Sequence, residues 1–380
     1  MSELAQIAKD ARAWACYDCG KCTATCPITL AGARYSPRHH VLAASHGRSV
    51  DITGDGSLFT CLTCRTCDSR CPVGVDYIGL VRSLRELAYR EGAEVECPHG
   101  GALQSAMRIM AKGVQKQERL GWLTDDLQTE PEKGQVFYWT GCTMYYDAFF
   151  PEFGMRSLDG TTAAIRLLNR AGVTPVVSPE ERCCGHDLLW TGDGASFVLL
   201  AQHNMALVQA SGVETVVVSC AECLRTWKED YLPLWKGKAP RLVHISEFAC
   251  EHLEELGLKD NGALRVTYQD PCRLGRHLGM YDAPRQMLQA IPGVELTEMP
   301  RFGKRALCCA GGTWCNCDRY AKKLQVERLR EAKATGAELL VTACPKCQVH
   351  FRCAMQDPNL KDEIEIPMRD VAELVADAMG

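Results

Sequence analysis

Thr215-Val-Val-Val-Ser-Cys-Ala-Glu-Cys223 is a β-branched run that closes on a Cys-x2-Cys pair, and Glu338-Leu-Leu-Val-Thr-Ala-Cys-Pro-Lys-Cys347 is the same arrangement again. A short β-branched run reads as a buried strand. Upstream of each pair stands a vicinal pair, Cys183-Cys184 and Cys308-Cys309, and upstream of that a single cysteine, Cys142 and Cys272. The landmarks recur in one order at offsets of 130, 125 and 124 residues, which points to duplication of one module. Val136-Phe-Tyr-Trp139 and Arg265-Val-Thr-Tyr268 read as strands leading to Cys142 and Cys272, and Thr174-Pro-Val-Val177 as a short strand before the first vicinal pair. Thr161 to Ala171, Ala195 to Ala210 and Arg319 to Ala334 read as helices. Alternating strands and helices imply a parallel sheet with crossover helices. Ligands gather at the carboxyl ends of such strands, so each module is expected to collect five sulfurs at one sheet edge.

The N-terminal part carries two further runs. Cys16-x2-Cys19-x2-Cys22-x3-Cys26-Pro27 has the spacing of bacterial ferredoxins, and Cys61-x2-Cys64-x2-Cys67-x3-Cys71-Pro72 repeats it. Three closely spaced thiolates wrap three irons of a cubane, and the fourth cysteine, followed by Pro, serves the other cluster. The spacing therefore assigns Cys16, Cys19, Cys22 and Cys71 to one [4Fe–4S] cubane, and Cys61, Cys64, Cys67 and Cys26 to a second. Structural zinc has no need of a third cysteine two residues on. Ser36-Pro37 reads as an N-cap with Pro at the first helical position, opening a helix through Ala44. Asp76 caps another helix with Tyr77, Leu80, Val81, Leu84, Leu87 and Ala88 on one face, ended by Gly92. Leu103, Met107, Met110 and Val114 suggest a third helix, and Thr124 to Gly134 a polar linker.

Of 380 residues, 23 are cysteine. Disulfide scaffolds reach such densities in short secreted chains, whereas this one is long and 46% hydrophobic. The first residues lack a basic stretch followed by an apolar one, and no apolar stretch reaches 18 residues. The expectation is a cytoplasmic protein with metal or redox chemistry and no membrane span of its own. A net charge of −4 without long like-charge blocks argues against nucleic acid. No Walker A or dinucleotide fingerprint appears, so electrons are expected from a partner.

Taken together, these motifs resemble the cysteine-rich CCG domain of the heterodisulfide reductase superfamily. The residues are Cys183-Cys-Gly-His186 and Ser219-Cys-Ala-Glu-Cys223 in one copy. In the other they are Asp270-Pro-Cys272, Cys308-Cys-Ala-Gly-Gly312 and Ala343-Cys-Pro-Lys-Cys347. The N-terminal runs are similar to the family's helical ferredoxin subunit, down to Ser36-Pro-Arg38. A ferredoxin part followed by two CCG modules is the order of the HdrD type, a fusion of HdrC-like and HdrB-like parts. The likeness covers about residues 13–354.

The resemblance implies a mixed α+β and α/β fold. A helical ferredoxin domain (1–97) and helical linker (98–134) would precede two duplicated α/β CCG modules (135–258 and 259–380). It implies two non-cubane [4Fe–4S] clusters besides the two cubanes. Cys142, Cys183, Cys184, Cys220 and Cys223 would hold one, and Cys272, Cys308, Cys309, Cys344 and Cys347 the other. Ala310 stands where the family has Gly, which leaves a cubane on four of the five thiolates as the alternative there. The implied activity is that of an iron–sulfur oxidoreductase subunit in an anaerobic heterodisulfide reductase-like complex, with disulfide reduction as its chemistry. Two alternatives are an electron relay in a soluble flavin-bifurcating complex, as in the benzoyl-CoA reductase type, and the iron–sulfur subunit of a 2-hydroxyacid or glycerol-3-phosphate dehydrogenase. The implied partners are an HdrA-type or other flavin-containing subunit and further redox subunits.

His186, next to the first vicinal pair, is a candidate proton donor or hydrogen-bond partner of a cluster. Arg273, Arg276, His277 and Lys346 are candidates for binding an anionic substrate or offsetting cluster charge. Cys97, Cys250, Cys315, Cys317 and Cys353 fall outside both patterns. Cys315-Asn-Cys317 reads either as a redox-active pair or as incidental thiols.

Overall fold

The computed structural model describes residues 2–48, 56–93 and 98–379. Cys97 lies outside the described residues. Two separate parallel sheets form the C-terminal two thirds. The first runs β1 (Val136–Trp139), β2 (Thr215–Val218) and β3 (Arg241–His244), in that spatial order. The second has the order β5-β4-β6-β7, with β4 at Leu264–Gln269, β5 at Val294–Leu296, β6 at Leu339–Thr342 and β7 at Met368–Asp370. In the first sheet Val176 bridges Phe137 in parallel, at the edge that β5 fills in the second, and bridges Glu130 as well. The expected strand Thr174–Val177 is thus reduced to one bridging residue. With that reduction, the two sheets carry the same topology.

The central strands form because their β-branched residues are covered on both faces: Val216, Val217, Val218, Leu340 and Val341 are buried. β3 and β7 end alike. His244 caps helix Ile245–Glu251 and Asp370 caps helix Val371–Ala378, each with a capping box closed by Glu247 or Glu373. The long crossover helices Ser157–Arg170, Gly194–Ser211 and Arg319–Ala334 cover the sheets.

The N-terminal part is helical. Ser36 Oγ accepts from His39 N at the start of helix Pro37–Ser45. Asp76 Oδ1 accepts from Gly79 N at the start of Tyr77–Arg90. Helix Ala102–Lys112 stops at Gly113, whose φ of 62° is left-handed, so Val114 falls outside it and is exposed.

One buried arginine joins the three parts. Arg85, on helix Tyr77–Arg90, donates to the carbonyls of Leu58 and Cys61 in the ferredoxin part at 3.0 and 2.8 Å. It also donates to Trp190 O of the first module at 2.9 Å and Thr313 Oγ1 of the second at 3.4 Å.

Candidate metal centres

Four cavities are lined by cysteine sets. Cys16, Cys19, Cys22 and Cys71 line one, together with Cys67. Cys26, Cys61, Cys64 and Cys67 line a second. The fourth cysteine of each ferredoxin run crosses to the other run's cavity. Backbone geometry explains how each run curls. Asp18 and Gly20 in the first run, and Thr63 and Arg65 at the matching places in the second, all have left-handed φ, between 51° and 73°. A β-branched residue in that region is strained. Thr63 is held there from outside its own domain. Arg273 of the second module donates to Thr63 O at 2.8 Å and to Thr63 Oγ1 at 2.7 Å.

Each CCG module places its five cysteines around one cavity at the carboxyl ends of its central strands. Cys142, Cys183, Cys184, Cys220 and Cys223 line that of the first module. Cys272, Cys308, Cys309, Cys344 and Cys347 line that of the second. The Sγ atoms of Cys184 and Cys223 are 3.5 Å apart, and those of Cys309 and Cys347 are 3.2 Å apart. Hydrogen bonds from neighbouring thiols pull Cys183 and Cys309 down, while burial pushes the Cys26 thiol up to about 12. Such a group stays protonated and inert unless a metal replaces its proton. Sets of four and five unbridged thiols, mostly buried in all but the first set, fit thiolate-ligated iron–sulfur clusters in kind and number.

The cavities adjoin in a series. Cys67 and Tyr77 border both ferredoxin cavities. Leu62 borders the second ferredoxin cavity and that of the second module, and the Cys64 and Cys308 thiols lie within hydrogen-bonding reach. Glu222 borders both module cavities, and Cys220 and Cys344 are likewise in reach of each other.

Of the residues considered for substrate binding, Arg273 and Lys346 line the second module's cavity, and each of the candidates has protein partners. Arg273 and His277 hold Thr63, and Arg276 Nε donates to Cys64 O at 2.6 Å. These groups fasten the ferredoxin part to the second module. Lys346 lies buried between the module cavities, paired with Asp187 and, at 3.1 Å, with Glu222. Burial opposes charge on both Lys346 and Asp187, yet each holds the other ionised. His186 Nδ1 lies 2.9 Å from Asp187 Oδ1, and burial, then Arg273, pushes the imidazole down to about 3, so it is neutral at pH 7. His186, Asp187 and Glu222 bring their ligand atoms within 4.8 Å, a spacing that suits a cation. The Lys346 ammonium already supplies that positive charge.

Some site residues escape a reading of the sequence. Arg119, inside the apparent linker, is fully buried and pairs with buried Glu181 at 3.1 Å. Glu181 also accepts from Gly141 N at 2.6 Å and Thr140 N at 3.1 Å, which fixes the loop before Cys142. Asp270, held by Arg285 at 2.7 and 2.9 Å, does similar work before Cys272. His350 is buried with a partnerless Nε2, and fills the space beside Gly311, where a Cβ would come within 2.8 Å of its ring and 3.3 Å of Cys309 Sγ. No local motif marks Arg119 or His350. Of the extra cysteines, Cys315 touches Thr313 and Cys317 is exposed. Among the described residues, no helix is long and apolar enough to cross a membrane.

Two family profiles match the chain: a 4Fe–4S dicluster domain over residues 12–75, and a cysteine-rich (CCG) domain twice, over 136–228 and 266–352. The chain is 34% identical over 274 residues to a subunit of the dihydromethanophenazine:CoB–CoM heterodisulfide reductase of Methanosarcina mazei, covering 70% of this chain and 64% of that protein. It therefore spans under two thirds of that relative. It is 26% identical to a subunit of the fumarate reductase (CoM/CoB) of Methanothermobacter marburgensis, covering 95% of this chain and 71% of that one. A crystal structure of a hypothetical protein from Helicobacter pylori superposes with a TM-score of 0.56 at 11% identity, over 91% of this chain and 68% of the other, which speaks to fold alone.

Proposed function

Because the chain belongs to the iron–sulfur family that joins a 4Fe–4S dicluster domain to two cysteine-rich CCG domains, we propose that it is an electron-carrying oxidoreductase subunit of a heterodisulfide reductase-like complex. Cys16, Cys19, Cys22 and Cys71 would hold one cubane, and Cys26, Cys61, Cys64 and Cys67 the other. The five-cysteine sets of the two modules would hold two non-cubane clusters. One-electron carriage is the chemistry these groups supply when bound. The observation that carries the reading is the series of shared walls, with Cys67, then Cys64 against Cys308, then Cys220 against Cys344. The chain's own residues exclude water from the inner sites and hold the parts in register through Arg85, Arg273 and Arg276. A flavin-containing subunit, of HdrA type or another, would supply the electrons.

Reduction of a disulfide at the two modules is supported by one feature. Their cysteine sets face each other across the buried group of Lys346, Asp187, Glu222 and His186, where two one-electron sites meet. The test is iron and acid-labile sulfide on anaerobically prepared protein. About sixteen irons with matching sulfide are expected from four clusters. About four zinc ions without sulfide would refute the reading. A thiol-dependent EPR signal that disappears in Cys309→Ser would support disulfide chemistry, and silence toward every thiol and heterodisulfide would leave the relay.

A further inference from the structure

Trp14 and Tyr17 are 69% and 59% exposed, although aromatic side chains of this size dominate cores. Both flank Cys16, and Tyr17 lines the cavity of the first cysteine set. That set is also the outermost. Its Cys19 is exposed, whereas every cysteine assigned to the other three sets is buried or half-buried. The surroundings are basic. Lys21 and Arg38 line the same cavity, and no carboxylate lines it among the described residues. Arg12 reaches Gly74 beside it, with a guanidinium nitrogen 3.6 Å from where a Cβ would stand. Asp18 and Arg38 pair at 3.2 Å and offset each other, so the net positive charge here rests on Arg12 and Lys21. This patch lies on a chain whose net charge is −4.

We propose that Trp14 and Tyr17, ringed by Arg12, Lys21 and Arg38, form the docking face for a one-electron donor protein with an acidic surface. The proposal rests on reading the four cysteine sets as cluster sites. Exposed aromatic anchors within a charged rim are the composition of interface hot spots. The rim selects the partner by charge and steers it toward the most accessible site. A second copy docking symmetrically would set basic rim against basic rim, which repels. In the step itself the donor would lose one electron, and the cluster that Cys16, Cys19, Cys22 and Cys71 would hold would gain it.

The experiment compares two reductants of the anaerobically purified chain in stopped-flow absorbance: chemically reduced flavodoxin, an acidic flavoprotein, and dithionite. Bleaching by flavodoxin is expected to slow at least tenfold between low and high salt. It should slow at least tenfold again at low salt in Lys21→Glu/Arg38→Glu and in Trp14→Ala. Bleaching by dithionite should be unchanged in Trp14→Ala, and in Lys21→Glu/Arg38→Glu, where this small anion is itself repelled, it should slow far less than bleaching by flavodoxin. Equal flavodoxin rates in the variants, no reduction by flavodoxin where dithionite succeeds, or a dimer dissolved by Trp14→Ala would each overturn the docking face. Failure of dithionite to bleach any site would instead count against the cluster reading, and the docking face would fall with it.

Discussion

The two CCG modules share sheet order, cysteine order and capping boxes, yet differ in what holds their sites. The first module's cysteine loop is pinned by Arg119, a residue from outside the module, through the buried carboxylate Glu181. The second uses Asp270 and Arg285 from within, and turns Arg273 and Arg276 outward to grip the ferredoxin loop at Thr63 and Cys64. Duplication preserved the ligands and let the supports diverge, so that the second copy grips the ferredoxin loops while the first meets the ferredoxin helix at Arg82 and Arg85.

The supports offer the largest way to break the comparison. Arg119→Met leaves Glu181 buried without its cation, which costs about 3–5 kcal/mol. Denaturation midpoints should fall accordingly, with iron lost first from the first module. Arg285→Met should cost less, about 1–3 kcal/mol, because Asp270 keeps the Gly303 amide at 2.8 Å. Equal losses would show that the supports are equivalent after all.

The residue after each vicinal pair sharpens the contrast. Gly185 has φ +74°, and a Cβ there would meet Phe197 at 3.0 Å and Leu200 at 3.2 Å. Ala310 has φ 57°, so the second copy carries a Cβ in the same left-handed conformation. Gly185→Ala should destabilise by about 2 kcal/mol, from strain plus crowding. Ala310→Gly should lie within about 0.5 kcal/mol of wild type, since relief of strain is offset by a freer unfolded chain. Thermal melts of both variants decide it.

A smaller difference lies in pH. Burial lowers His244 to about 4, below its ordinary 6.5, so its contribution is present above 6.5 and is lost as pH falls toward 4. Burial raises Asp370 instead, so its contribution is present at low pH and is lost as pH rises above the ordinary carboxylate value. Between pH 7 and 5.5 the β3 edge should lose about 1 kcal/mol of protection while the β7 edge holds or gains. Hydrogen exchange at the two capped helices measures this.

The sequence made the cysteine sets legible because each spacing is local, and the central strands legible because Val216 to Val218 and Leu339 to Val341 are apolar on both faces. It hid β3 and β7, whose Arg241-Leu-Val-His and Met368-Arg-Asp lack a long apolar run and owe their place to pairing with β2 and β6. It hid Arg119 and His350 because their partners lie far away in the chain. Arg273 and His277 carried a charge signal whose target, Thr63, only the folded chain discloses.

The serial arrangement is tested most directly by interrupting it. Freeze-quench EPR would follow reduction by flavodoxin in Cys308→Ser/Cys309→Ser and in Cys183→Ser/Cys184→Ser. The series predicts that removing the second module's site blocks reduction of the first module's, whereas the reciprocal change leaves the second module's site reducible at the wild-type rate. Wild-type reduction of the first module's site in Cys308→Ser/Cys309→Ser would contradict it.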